Sequence, residues 1–76
     1  MSELDWLDIF ADNLVSLLRD AKMSQRELAE AADLSEATIS YYIHKRKVPS
    51  LKAIINIAYA FDISIDELID FGEMIY

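Results

Sequence analysis

Apolar residues recur every three or four positions along most of the chain, the spacing that places them on one face of an α-helix. Short polar breaks separate five such segments, which predict helices over residues 3–22, 25–32, 36–44, 51–61 and 65–70. The predicted inward faces consist of Trp6, Phe10, Leu14, Leu17 and Leu18; Leu28, Ala31 and Ala32; Ile39, Tyr42 and Ile43; and Leu51, Ile54, Ile55, Ala58 and Phe61. One glycine and one proline also fit short-linked helices better than a β-rich fold. The pattern therefore predicts an all-α fold, with residues 1–76 as a single domain.

A serine stands immediately before each predicted helix. Its hydroxyl can accept a hydrogen bond from an amide of the first turn, so these serines are predicted N-caps. They are Ser2, Ser24, Ser35, Ser50 and Ser64. Glu27 and Glu67 follow two of them by three residues, the spacing of a capping box.

The central stretch, residues 25–43, reads QRELAEAADLSEATISYYI and predicts two short helices joined by a tight turn. Ala29 is small, as required where two helices cross closely. Asp33 stands where the turn needs a positive φ, which Asp tolerates better than most residues other than glycine. This arrangement predicts a helix-turn-helix.

This central stretch resembles the helix-turn-helix of the lambdoid phage repressor and Cro family, the XRE family. The resemblance extends beyond it, from about Leu14 to Leu68. The likeness includes SQRELAEAADLS, TISYYI, the Pro49-Ser50-Leu51 that opens the fourth helix, and IAYAFDISIDEL. It implies a compact five-helix bundle of the lambda-repressor-like type, with helices 2 and 3 as the helix-turn-helix. It also implies a cytoplasmic regulator from a bacterium or phage. Such a regulator binds double-stranded DNA as a homodimer on a palindromic operator, and it represses by blocking the polymerase, although activation is equally compatible.

By position, the resemblance implies DNA contacts at Gln25, Glu36, Ala37, Tyr41 and Lys52, and neighbouring polar and cationic residues extend this set. The base-facing set is Glu36, Ala37, Thr38, Ser40 and Tyr41. The phosphate-facing set is Gln25, Arg26, Ser35 and Lys52, together with the cation cluster His44, Lys45, Arg46 and Lys47. Three interpretations without DNA binding stay open. The outward face of helix 3 is then merely solvated, Arg26 pairs with Glu30, and the cations only complement a helix dipole.

The chemistry of the base-facing set is unusual. Ala37 and the Thr38 methyl suit a thymine methyl, and the Glu36 carboxylate suits cytosine N4. The set lacks the Arg, Asn or Gln that makes bidentate contacts with purines. A carboxylate in the groove also repels many sequences. We therefore expect weak affinity with selective rejection, or no role in DNA binding.

Four positions depart from the family pattern. Leu18 and Ile43 take the places of an Arg–Glu pair that many members share, and an apolar pair is often as stable as the ion pair it replaces. Lys45 stands where the family usually has the glycine that ends helix 3. Either Lys45 adopts a strained conformation or the helix runs on. Asp62 takes another glycine position and should be left-handed.

Charge is unevenly distributed along the chain. The net charge is −7, but residues 1–18 carry −4, residues 19–52 carry +2 and residues 53–76 carry −5. DNA-binding proteins normally neutralise phosphates with Lys and Arg, so the acidic ends should weaken non-specific affinity. The locally basic middle coincides with the predicted helix-turn-helix.

The two ends of the chain offer partner surfaces. The acidic extension, residues 1–13, carries Trp6 and Phe10, which either pack on the core or anchor a partner. The tail, residues 71–76, is mostly apolar, and its predicted dimer or partner surface consists of Phe71, Met74, Ile75 and Tyr76. These features leave an alternative function open: a protein-interaction module that retains the fold, such as an antirepressor, an antitoxin or a partner-binding phage protein.

Other classes have little support. The chain has no cysteine and one histidine, so neither a disulfide nor a thiolate metal site is expected. No apolar run approaches the length of a membrane span. No set of nucleophile, base and acid is present, so we expect neither an enzyme nor a cofactor.

Overall fold

The computed structural model describes residues 3–69, and side chains from residue 6 onward. These residues form five helices and no strand: α1 (Glu3–Ala21), α2 (Gln25–Ala31), α3 (Glu36–Ile43), α4 (Leu51–Phe61) and α5 (Ile65–Leu68). The predicted all-α, five-helix fold is confirmed, and each helix ends within two residues of its predicted limit. The predicted cap Ser2 and the tail residues Phe71, Met74, Ile75 and Tyr76 lie outside the described residues.

The core lies where the five helices meet. α2 and α3 pack on each other, α1 packs on α3 and α5, and α4 packs on α2 and α5. Every helix contributes at least one large, fully buried side chain, and these are Phe10, Leu14, Leu28, Ile39, Ile57 and Leu68. Each such side chain contributes about 1.5–3 kcal/mol through burial. Ala29 is buried in α2, the first helix of the helix-turn-helix, as its small size predicted.

Two predicted core faces are wrong in part. Ala31 is exposed, and α2 turns Leu28 and Ala29 inward instead. In α4, Leu51 and Ile55 are 68% and 45% exposed. The buried residues of α4 are Ala53, Ile54, Ile57 and Ala58. The reason is that α4 is apolar almost all round, so its sequence does not fix which side faces the core.

Local side-chain chemistry begins the last four helices as predicted. The hydroxyls of Ser24, Ser35, Ser50 and Ser64 each accept from the amide three residues on, at 3.0–3.2 Å. Glu27 returns the bond by accepting from the Ser24 amide at 2.9 Å, which completes the predicted capping box. The second predicted box is wrong in part, because the structure shows only the serine half at Ser64.

Four helices end in the same way. Lys22, Asp33, Lys45 and Asp62 all have left-handed φ angles, between 54° and 61°. In each case the next amide donates to a carbonyl five residues earlier, for example Arg46 to Tyr41 at 2.8 Å and Leu34 to Ala29 at 2.9 Å. This is the Schellman motif, which usually employs glycine. Of the two alternatives for Lys45, the left-handed conformation is the one observed, whereas the left-handed Lys22 was not predicted.

Two asparagine side chains tie distant segments together. Asn13 Nδ2 donates to the Leu68 carbonyl at 2.7 Å, which joins α1 to the end of α5. Asn56 Nδ2 donates to the Ala32 carbonyl at 3.2 Å, which joins α4 to the end of α2. Each bond joins two helices that are distant in the sequence, and neither bond was predicted.

Candidate nucleic-acid interface

The outward face of α3 presents the residues assigned to base contact. Glu36, Ala37 and Tyr41 are exposed, with Tyr41 at 48%. Ile39 and Tyr42 are buried on the opposite side and fix the rotation of the helix. The structure therefore brings this predicted set together on one surface.

The remaining two members of the base-facing set are half-buried and already hydrogen-bonded within the helix. The Ser35 hydroxyl accepts from the Thr38 amide at 3.0 Å and lies 2.8 Å from the Thr38 hydroxyl. The Ser40 hydroxyl lies 3.4 Å from Nδ1 of His44. The Thr38 and Ser40 hydroxyls thus already have partners at the two ends of α3. Glu36, Ala37 and Tyr41 are therefore the side chains of this set most accessible to a ligand.

The cation cluster, residues 44–47, follows directly after α3, and all four side chains are exposed. His44 Nδ1 donates to the Ser40 carbonyl oxygen at 2.8 Å, so that nitrogen carries the proton in this contact. Lys45 Nζ forms an ion pair with Asp8 Oδ1 at 2.8 Å. Arg46 and Lys47 form no ion pair with any described side chain. Among the described side chains, Lys45 is thus paired with an acid, whereas Arg46 and Lys47 are not.

The first half of α1 lies against α3 through an aromatic row. Trp6 stacks on Phe10 with ring centroids 5.8 Å apart, and Phe10 meets Tyr42 edge-on at 5.8 Å. Phe10 is fully buried and Trp6 partly buried against the core, so packing is the role the structure shows for them. This packing places Asp8 beside Lys45. The hydrogen bond to Asp8 and the charges of Asp8 and Asp12 raise the pKa of Lys45.

The start of α2 carries further residues of the phosphate-facing set. Gln25 is half-buried as the first residue of the helix. Arg26 Nε lies 3.4 Å from Glu30 Oε1, so the predicted i,i+4 pair forms. Both partners are more than 70% exposed, and such pairs contribute little. Arg26 therefore stays available to a stronger anion. Hydrogen bonds from the Ser24 amide and hydroxyl lower the pKa of Glu27.

The remaining chemistry of the described residues is sparse. Lys52 is exposed near the start of α4 and has no ion pair among the described side chains. No cluster of three or more His, Cys, Asp or Glu suited to a metal occurs within the described part of the chain. None of the described helices is long and apolar enough to cross a membrane.

α3 exposes one face, packs on α2, which buries the small Ala29, and is followed by cations that have no ion pair among the described side chains. These features define a helix-turn-helix unit of the DNA-binding class. The sequence profile of the helix-turn-helix family matches residues 15–68, and the chain belongs to that family, of XRE type. It is a DNA-binding transcription regulator. The profile begins within α1, so the first half of that helix precedes the matched region.

One solved structure supports the fold independently. The chain is similar to the solution structure of the SOS-response transcriptional repressor LexA from Eubacterium rectale, with a TM-score of 0.82 and 23% sequence identity. The match covers 97% of this chain and 79% of that chain. At this identity the likeness shows the fold alone. No curated protein sequence matches the chain significantly.

One residue at this interface escaped sequence reasoning. Asp8 looked like part of a solvated acidic extension, but it pairs with Lys45 at the end of α3. The sequence carried one indirect signal, since a cation stood in a glycine position next to an acidic helix. Only the packing of α1 on α3 brings the two charges together.

Proposed function

We propose that the protein represses transcription by binding a palindromic operator as a homodimer, with α3 in the major groove. The observation that carries the proposal is the exposed face of Glu36, Ala37 and Tyr41. It is followed along the chain by Arg46 and Lys47, which have no ion pair among the described side chains. Recognition helices of this class present their N-terminal residues to base edges while nearby cations bind the phosphates.

In this proposal, specificity comes as much from exclusion as from attraction. Glu36 accepts from cytosine N4 and repels a groove edge rich in acceptors, and Ala37 packs on a thymine methyl. Tyr41 contacts a base edge or a phosphate. Arg46 and Lys47 supply the main phosphate contacts. The remaining phosphate contacts are assigned to Gln25, Arg26, Ser35, His44, Lys45 and Lys52.

The first test reverses the two unpaired cations. Arg46→Glu with Lys47→Glu should abolish duplex binding at low salt and leave the melting temperature unchanged, because neither side chain packs in the core. A matched control is Arg19→Glu with Lys22→Glu, which makes the same change of charge at the end of α1. Equal loss of binding in both double variants would refute a specific phosphate contact.

The second test reads the operator. Selection from a pool of randomised duplexes should enrich an inverted repeat with half-sites about 34 Å apart. Glu36→Gln should then relax preference at one base pair in each half-site, by about tenfold. Enrichment of a single unrepeated site would contradict the dimer, and an unchanged preference would contradict the role of Glu36.

A row of exposed apolar side chains on α4 supports self-association. Leu51, Ile55 and Tyr59 are 68%, 45% and 84% exposed and stand four residues apart, so they form one stripe. Two copies packed antiparallel would match apolar stripe to stripe. A second copy of the chain is thus the occupant we assign to this surface, together with the predicted tail surface at residues 71, 74, 75 and 76.

This contact is testable with a pair of matched variants. Ile55→Gln should lower the dimer fraction in sedimentation equilibrium, because it places an amide in the centre of the stripe. Val15→Gln is the control, since Val15 is 43% exposed but lies alone on α1. If Ile55→Gln and Val15→Gln associate equally, the stripe is not the dimer surface.

A partner-binding module that retains the fold is the second candidate. It is favoured by the acidic groups Asp8 and Asp12, which lie beside the cation cluster rather than away from it. This candidate predicts no binding of any duplex at low salt, where phosphate contacts are strongest.

A further inference from the structure

The structure places a carboxylate of α1 on a lysine of the candidate DNA interface. Asp8 Oδ1 lies 2.8 Å from Lys45 Nζ, and the side chains are 53% and 43% exposed. Lys45 belongs to the cation cluster, and its neighbours Arg46 and Lys47 have no such partner among the described side chains. The proposed function would use all three cations against phosphate.

The position of Asp8 is fixed by packing rather than by chance contact. The stack of Trp6 on Phe10 and the edge contact of Phe10 with Tyr42 hold this part of α1 on α3. Asp8 lies between the two aromatic residues in sequence. Lys45 is held equally firmly, because its left-handed φ of 61° and the bond from the Arg46 amide to Tyr41 set its backbone.

From this geometry we infer that Asp8 competes with DNA phosphate for Lys45, and that the first half of α1 thereby limits the affinity of the protein for DNA. This inference rests on the proposed function. When the duplex docks, the ammonium group of Lys45 has to exchange a carboxylate oxygen for a phosphate oxygen. This exchange contributes less binding free energy than a phosphate contact by a lysine without a partner would. It also leaves the Asp8 carboxylate close to the incoming polyanion. Asp12 also opposes phosphate binding by Lys45, since its negative charge likewise raises the pKa of Lys45.

One partner of this ion pair lies outside the region that matches the family, and the other lies within it. Asp8 and Asp12 precede residue 15, where the family match begins. Lys45 occupies the helix-ending position with a left-handed backbone, where glycine would be the unstrained choice. A paired charge across these two sites therefore adds a control on binding strength without altering the base-facing residues of α3.

The test compares Asp8→Asn with Asp20→Asn by fluorescence anisotropy on a mixed-sequence duplex at low salt. Each variant removes one negative charge from α1, but Asp20 pairs only weakly, with Arg19 at 3.9 Å. We expect Asp8→Asn to tighten binding about two- to fivefold beyond the control, the range of an exposed ion pair. Asp8→Glu keeps the charge and should retain wild-type affinity. In a Lys45→Gln background, Asp8→Asn should behave like the control.

The possible results separate the inference from the proposed function. If wild type binds the duplex but Asp8→Asn equals Asp20→Asn, the competition is refuted while the proposed function stands. Weaker binding by Asp8→Asn would also refute the competition, since Asp8 would then position Lys45 for phosphate instead of competing with the phosphate. If no variant binds duplex at low salt, the proposed function fails and the inference fails with it.

Discussion

Replacing the left-handed Lys22 and Lys45 by glycine, one at a time, separates backbone strain from the Asp8 ion pair. Lys22 directly follows α1, Lys45 lies two residues after the end of α3, and the two have similar φ angles, 54° and 61°. Both substitutions remove one cation from a helix end, so that loss cancels in the comparison. The variants differ in one respect, because only Lys45 pairs with Asp8.

The magnitudes follow from the conformation. A left-handed backbone costs an L-residue about 1–2 kcal/mol, and glycine loses about 0.5–1 kcal/mol more conformational entropy on folding. We therefore expect Lys22→Gly to stabilise the fold by up to about 1.5 kcal/mol, which raises the melting temperature by several degrees for a domain of this size. Lys45→Gly also loses the ion pair with Asp8, in which both side chains are about half-exposed. It should therefore stabilise the fold by less than Lys22→Gly.

Urea unfolding in low and high salt measures both quantities. The difference between the two variants should shrink in high salt, because screening weakens the Asp8–Lys45 pair. The slope of the unfolding free energy against urea should not change. Equal stabilisation at both sites would show that the pair contributes nothing, and destabilisation by Lys22→Gly would refute the strain argument itself.

Three further outcomes follow from contacts in the fold. Asn13→Ala and Asn56→Ala should each lower the free energy of unfolding by about 1 kcal/mol in thermal unfolding, because a carbonyl at a helix end loses its hydrogen-bond donor. An unchanged stability in either variant would contradict that role. The lowered pKa of Glu27 means that its charge stabilises the fold above its ordinary pKa of 4.5, and that this stability is lost as pH falls through the lower, folded value. Glu27→Gln keeps the hydrogen-bonding shape, so its stability deficit in unfolding experiments should disappear in acid; a deficit independent of pH would refute the electrostatic origin.

Local chemistry was the part of the fold that the sequence predicted well. Ser24, Ser35 and Ser50 cap their helices because a hydroxyl acts on an amide only three residues away. Asp33 and Asp62 are left-handed because the turns leave few other choices. Such effects depend on near neighbours along the chain, and near neighbours are visible in a sequence.

Contacts between distant segments were the part that the sequence could not predict. The exposure of Leu51 and Ile55 was missed because α4 offers apolar residues on both sides, and only packing against α2 and α5 selects one. The Asn56 bond and the pairing of Asp8 with Lys45 depend on the same tertiary placement. For the candidate site, sequence and resemblance therefore named the residues of α3 but not the acid that neutralises one of its cations.

The most direct test of the DNA interface is an amide chemical-shift titration of the labelled protein with mixed-sequence duplex at low salt. We expect shifts at Gln25, at residues 35–41 and at residues 44–47, all of which should fade as salt rises. The amides of Ile55 and Tyr59, which lie further along α4 than the phosphate-facing Lys52, should move little, since their side chains are assigned to a second copy of the chain. Silence at α3 and the cation cluster, with or without shifts elsewhere, would contradict DNA binding through this face and favour the partner-binding module.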